Sequence, residues 1–186
     1  MLAVSPGTCG TRNGTVTVHA DSSVRVAFPR GRRPRIALPD GTSREIASLL
    51  RVDQAMRYGE YMWDDLPRAG PIWVRIDLAH QLISVFRGGD EIGTALVLFG
   101  ADGKPTPTGM FPVLSKSKQH RSTQYDAEMP YALWLTRDGV AIHASQVRYG
   151  SATHGCIGVP LAFAERLFDV ISPRDLVAIL PDRSAR

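Results

Sequence analysis

Apolar residues at alternating positions run through most of the chain and predict a protein built mainly of strands. Val16 and Val18, then Val24, Val26 and Phe28, alternate with polar residues, and Asn13-Gly14 and Asp21-Ser22-Ser23 mark turns, so 13–28 reads as two short strands of a hairpin. Thr42-Ser43-Arg44-Glu45 has the form of a capping box. Ile46, Leu49, Leu50 and Met56 lie roughly on one helical face behind it, which predicts a helix. After a break at 66–70, LPRAG, the alternation returns. Ile72, Val74, Ile76 and Leu78 are interleaved with Trp73, Arg75 and Asp77; Leu82, Ile83, Val85 and Phe86 follow; Gly88-Gly89-Asp90 turns the chain into a further strand over 92–99. Residues 131–136 and 140–143 read as a hairpin across Asp138-Gly139. A helix should start at Pro160, proline being suited to a first turn, with Phe163, Ala164, Leu167, Phe168 and Ile171 as its buried stripe and Ser172-Pro173 as its end. Residues 176–180 form a last core strand.

Two segments fit no regular element. Residues 100–109, GADGKPTPTG, are too rich in Gly and Pro and read as a surface loop. Residues 116–130 are polar and long for a connection, which in a compact domain suggests a flap. The expected class is mainly β with α (α+β). Residues 1–65 would form a small N-terminal α+β appendage, an extension whose role the sequence does not reveal, and residues 70–182 a sheet-dominated domain.

Composition narrows the functional classes. Net charge is +4, and 29–35, PRGRRPR, places four arginines in seven positions. Such a run is a solvated loop or an attraction for an acidic polymer such as wall phosphate or anionic lipid. No aromatic interleaving or nucleic-acid-binding motif accompanies it, so no nucleic acid partner is expected. No run reaches the roughly 18 apolar residues of a membrane span, so no integral membrane segment is expected. The opening MLAVSPGTCG has no basic n-region and its apolar run ends at Ser5-Pro6, so it does not read as a secretory leader. Of the two cysteines, Cys9 sits in a small-residue stretch and is expected to be free and incidental.

The candidate chemistry is concentrated at 142–160, IHASQVRYGSATHGCIGVP, which holds Cys156, His143 and His154. A thiol is a useful nucleophile near neutral pH when a histidine within reach takes its proton. His143 closes a predicted strand, a rigid platform, and Cys156 lies between two packed elements. Residue types alone leave three readings open: a small buried Cys in a Gly-rich turn, a zinc site from His143, His154 and Cys156 lacking a fourth ligand and any CxxC pair, and a Cys–His catalytic pair.

The segment resembles the active-site signature of the L,D-transpeptidase (YkuD-like) catalytic domain family. That signature is a His, a variable loop, then Ser/Thr-His-Gly-Cys, a hydrophobic residue and usually Arg or Asn. Here it is His143, the loop 144–152, and Thr153-His154-Gly155-Cys156-Ile157. Pro105-Thr106-Pro107-Thr108-Gly109-Met110-Phe111 resembles the family's TPTG-x-F segment. His120-Arg121-Ser122 with Tyr125-Asp126 and Met129-Pro130 resembles an insert before the catalytic strand. The likeness covers about 72–180 and leaves 1–60 outside. It departs at Gly158, where a guanidinium could have held a substrate carboxylate and glycine cannot.

The resemblance implies a curved mixed-sheet, sandwich-like fold with an open cleft. It implies Cys156 as nucleophile, His143 as general base oriented by the Ala144 carbonyl, the Gly155 backbone as oxyanion donor and His154 in support. His120, Arg121, Tyr125 and Thr153 would contact substrate. The expected activity is peptidoglycan L,D-transpeptidation: attack on a stem tetrapeptide, release of D-Ala and cross-linking between third residues. The alternatives are an L,D-carboxypeptidase or thiol hydrolase on the same substrate, or a weakly active wall-binding protein. No cofactor and no metal are called for, the partners are peptidoglycan stem peptides, and the location is periplasmic or exported cell envelope.

Overall fold

The computed structural model describes residues 25–100, 103–122 and 126–182. In chain order its strands are β1 (Arg25–Ala27), β2 (Arg35–Ala37), β3 (Ser43–Glu45), β4 (Ser48–Leu50), β5 (Tyr61–Trp63), β6 (Ile72–Asp77), β7 (Leu82–Arg87), β8 (Asp90–Leu96), β9 (Gly109–Pro112), β10 (Ser115–Ser117), β11 (Arg121–Ser122), β12 (Ala127–Glu128), β13 (Ala132–Trp134), β14 (Ala141–Ala144) and β15 (Ile157–Val159). The helix α1 (Leu161–Val170) and β16 (Leu176–Leu180) complete it.

A large mixed sheet runs β1-β4-β8-β7-β6-β16-β9, with β5 also paired to β8. A four-stranded sheet runs β10-β13-β14-β15. Val74, Ile76, Ile83 and Val85 from the first face Leu133, Ile142, Ile157 and Val159 from the second, and Phe163 and Leu167 of α1 complete this core. The alternating positions read over 72–99 explain the large sheet. One set of side chains points into this core, and the other, Trp73 and Phe86 among them, lies on the outer face. There the Trp73 and Phe86 rings stack 4.2 Å apart under Leu38 and Ile46. The result is mostly β with one short helix, mixed sheets in an open, sandwich-like arrangement.

The helix forms where its sequence predicts. Pro160 precedes it and has no N–H to leave unsatisfied, and Phe163, Ala164 and Leu167 are buried on one face. Burying a Phe side chain contributes about 2–3 kcal/mol. Phe163 meets Trp63 edge-on at 5.4 Å and Tyr61 at 6.0 Å. Phe168 is half-buried, and its ring carries the Lys116 ammonium 4.3 Å from its centroid. That ammonium also donates to the Phe168 carbonyl and, at 2.6 Å, to the Ile171 carbonyl, placing a cation on the helix C-terminus.

The helix expected after Thr42 is absent. Ser43–Glu45 is β3, paired with β2, and Ser48–Leu50 is β4 of the large sheet. The reason lies just upstream, in Pro39-Asp40-Gly41. Gly41 takes φ +80°, and Asp40 accepts both the amide (2.9 Å) and the hydroxyl (2.7 Å) of Thr42. The threonine is therefore spent on a hairpin turn and cannot cap a helix. Among the described residues of the N-terminal extension there are only strands, and β1, β4 and β5 extend the large sheet. Of the hairpin expected over 13–28, residues 13–24 lie outside the described residues.

A buried ion cluster ties β1 to β4, β8 and the segment that follows β5. Arg25 pairs with Asp64 at 2.7 Å and donates to the Ser48 hydroxyl (2.7 Å) and the Glu91 carbonyl (2.6 Å). Asp64, its side chain fully buried, also takes Arg68 at 3.0 Å and the Leu66 amide at 2.9 Å.

Candidate active site

The four residues of β14 are all buried, and β14 runs parallel to β15 with Ile142 opposite Ile157 and His143 opposite Gly158. Cys156 immediately precedes β15 and so lies beside Ala141. Opposed residues of parallel strands share a face, so the Cys156 and His143 side chains point the same way. Strand spacings put their Cα atoms roughly 8 Å apart, within the combined reach of a thiol and an imidazole.

His143 is only 9% exposed. Its Nδ1 lies 2.8 Å from the Ala144 carbonyl oxygen. A carbonyl can only accept, so Nδ1 carries the proton and the neutral ring keeps a lone pair on Nε2. Burial pushes the imidazole below its ordinary 6.5, against the opposing pull of the Ala144 carbonyl, so the ring is neutral at neutral pH.

Cys156 packs against the cluster of Met129, Ala132 and Ala141, as does Trp134, and its thiol donates to the Gly139 carbonyl at 3.6 Å. Burial raises the thiol above its ordinary value, while the Ala141 backbone hydrogen bond and the Lys104 charge pull it down. Both groups are thus neutral at rest, with the thiol turned to the Gly139 carbonyl.

The loop before Cys156 is pinned. Thr153 donates its amide to the Phe99 carbonyl at 3.0 Å and its hydroxyl to the Cys156 carbonyl. Gly155 sits at φ +101°, a conformation natural to glycine. Thr106, from the loop after β8, accepts the Gly100 amide at 2.9 Å and donates to the Gly155 carbonyl at 3.0 Å. One buried hydroxyl thereby fixes both loops.

The other expected residues fall in different places. Gly155 adjoins the thiol in the turn, and Thr153 uses its hydroxyl inside the loop. His154 is exposed. His120 meets Trp134 edge-on at 4.9 Å and 88°, which brings the flap close to the thiol through the tryptophan. Arg121 is exposed and tied to Asp126 at 2.7 Å and Glu128 at 2.6 Å, so its guanidinium closes the β11–β12 hairpin. Tyr125 lies outside the described residues. The flap lines a cavity of about 330 Å³, with Lys118, His120, Glu128 and Tyr131 on its walls.

Lys104, Thr106 and Trp134 adjoin the candidate site without having been named among its expected residues. The signal for Lys104 was available, since it is the only cation in the 100–109 loop. Gly158 is closed to a side chain: a Cβ there would lie 2.9 Å from Ser145 Cβ and 3.4 Å from Leu98 Cβ. Among the described residues no group of three His, Cys, Asp or Glu is placed to hold a metal ion.

The family profile of the L,D-transpeptidase catalytic domain (YkuD) matches residues 71–179. Among solved structures, the chain is similar to an L,D-transpeptidase from Stackebrandtia nassauensis, with 22% identity, a TM-score of 0.58, and 65% of this chain and 60% of that one covered. It is also similar to an L,D-transpeptidase from Enterococcus faecium, with 21% identity, a TM-score of 0.55, and 65% and 58% covered. One from Mycobacterium tuberculosis H37Rv gives 22%, 0.54, and 59% and 57%. The likeness is one of fold, and the chain spans about 60% of the length of the first of these structures. No curated protein matches.

Proposed function

The chain belongs to the L,D-transpeptidase catalytic domain (YkuD) family, and on that premise we propose that it is a cysteine acyltransferase acting on peptidoglycan stem peptides in the cell envelope. The observation that carries this reading is the His143 tautomer: Nδ1 is committed to the Ala144 carbonyl, leaving Nε2 as a base on the same face as the Cys156 thiol.

In the proposed reaction the Cys156 thiol gives its proton to His143 Nε2 as Sγ attacks the amide carbonyl between the third stem residue and a terminal D-Ala. The backbone N–H groups of the Gly155–Cys156 turn stabilise the oxyanion, each such donor contributing about 3 kcal/mol. The C–N bond then breaks, the imidazolium protonates the departing amine, and D-Ala leaves a thioester on Cys156. The side-chain amine of a second stem attacks the thioester, His143 takes its proton, and the C–S bond breaks. The product is a cross-link between third residues, and the thiol is restored. Water as acceptor gives a tripeptide by the same residues.

Chromatography and mass spectrometry of the products from a disaccharide–tetrapeptide test the reading. Cross-linked dimer with free D-Ala is expected. Tripeptide alone would make the protein a carboxypeptidase, and no product from the folded protein would reject the acyltransferase reading.

A further inference from the structure

We propose that Lys104 supplies the positive charge of this active site, as a positioning residue whose ammonium draws negative charge to Cys156. The proposal rests on the reading of Cys156 as the nucleophile. It begins from backbone packing. A Cβ built on Gly100 would lie 2.2 Å from the Lys104 carbonyl oxygen and 2.9 Å from Gly155 Cα, so three backbone segments meet with no room for a side chain. The Lys104 side chain starts from this crossing, with its Cγ 3.7 Å from where a Cβ of Gly155 would sit. Its stem therefore rests on the residue preceding the nucleophile. Thr106, two residues on, holds the crossing together through Gly100 and Gly155.

The charges around the thiol leave this role to Lys104. His143, on β14, is neutral at neutral pH. His154, in the same loop, is exposed, and His120 reaches the thiol's surroundings only through Trp134. Arg121 is occupied by Asp126 and Glu128. Position 158 has no side chain and no room for one. Asp138, in the β13–β14 turn, is held low first by its Thr136 hydrogen bond and then by Lys104, whose charge also acts on Cys156. The charge of Lys104 thus acts on both the turn and the thiol.

The test is alkylation of Cys156 by iodoacetate and by iodoacetamide across pH, in the parent protein, Lys104→Met and Lys104→Arg. Loss of a cation near the thiolate should raise the alkylation midpoint by about one pH unit. The iodoacetate-to-iodoacetamide rate ratio should fall severalfold in Lys104→Met and stay near the parent value in Lys104→Arg. An unchanged midpoint and ratio in folded Lys104→Met would overturn the proposal. Should that variant not fold, the parent alone decides: its rate ratio should fall as salt rises from about 0.01 to 1 M, and a salt-independent ratio would overturn it. Alkylation requires no peptide substrate. A parent protein that shows the charge effect but no tetrapeptide turnover would refute the proposed function and leave the role of Lys104 standing.

Discussion

Two buried polar clusters in this molecule are built on opposite terms. Around Arg25 and Asp64 the charges are met: two arginines share one carboxylate, and a hydroxyl, a backbone carbonyl and a backbone amide complete the set, leaving the buried Arg68 Nε unpaired. Around Cys156 the partners are few. The thiol has a long contact to Gly139 and the Ala141 backbone beside it, and His143 is bonded through Nδ1 to the Ala144 carbonyl. A satisfied cluster holds strands together and resists change, because removing one partner strands the other in a low-dielectric interior. An unsatisfied cluster contributes little to stability and keeps its lone pair and its proton for a substrate. Thr106 belongs to both kinds, since its bonds are satisfied and serve to aim the reactive turn.

Substitutions separate the two clusters. Cys156→Ala should lower tetrapeptide turnover to background, by at least about 10⁴-fold, and His143→Ala by about 10²–10⁴-fold. Both variants should melt close to the parent. A large loss of melting temperature in either would break the contrast. Asp64→Ala should do the reverse. Urea unfolding should show a loss of about 3–5 kcal/mol, from Arg25 left buried without its carboxylate. Cys156 alkylation in the folded fraction should keep its parent rate. Thr106→Val should register on both scales, with about 1–3 kcal/mol lost from the unpaired Gly100 amide and Gly155 carbonyl and slower turnover from a looser turn.

The smallest effect concerns Glu91, whose carboxylate accepts the Leu50 amide at 2.9 Å and whose burial raises it above the ordinary 4.5. A carboxyl raised in the folded state stabilises fully below its unfolded value and loses that contribution as pH rises through the folded one. Melting curves from pH 4.5 upward should therefore show a loss in the parent that Glu91→Gln lacks. Parallel curves would remove Glu91 as the cause.

The strands over 72–99, the hairpin across Asp138-Gly139 and the helix from Pro160 were legible because each carries its own periodicity and its own punctuation. The segment after Thr42 misled because two local signals compete there, and the Asp40-Gly41 turn captures the threonine that a capping box would use. At the candidate site, His143 and Cys156 stand out as candidates from residue types and from the family signature. Thr106 was not legible, since its role depends on a carbonyl 49 positions away. Lys104 was not, since its place is set by three backbone segments crossing at glycines. The ion pairs of Arg121 were not legible either, since a sequence does not display Asp126 and Glu128 closing on it.

The central claim, that Cys156 is an acyl-accepting nucleophile served by His143, is tested most directly by intact-mass spectrometry after mixing with a disaccharide–tetrapeptide. The parent should gain the mass of the substrate less D-Ala, His143→Ala should gain it far more slowly, and Cys156→Ala should gain nothing. A folded parent that acquires no adduct, or an adduct that persists in Cys156→Ala, would contradict the account.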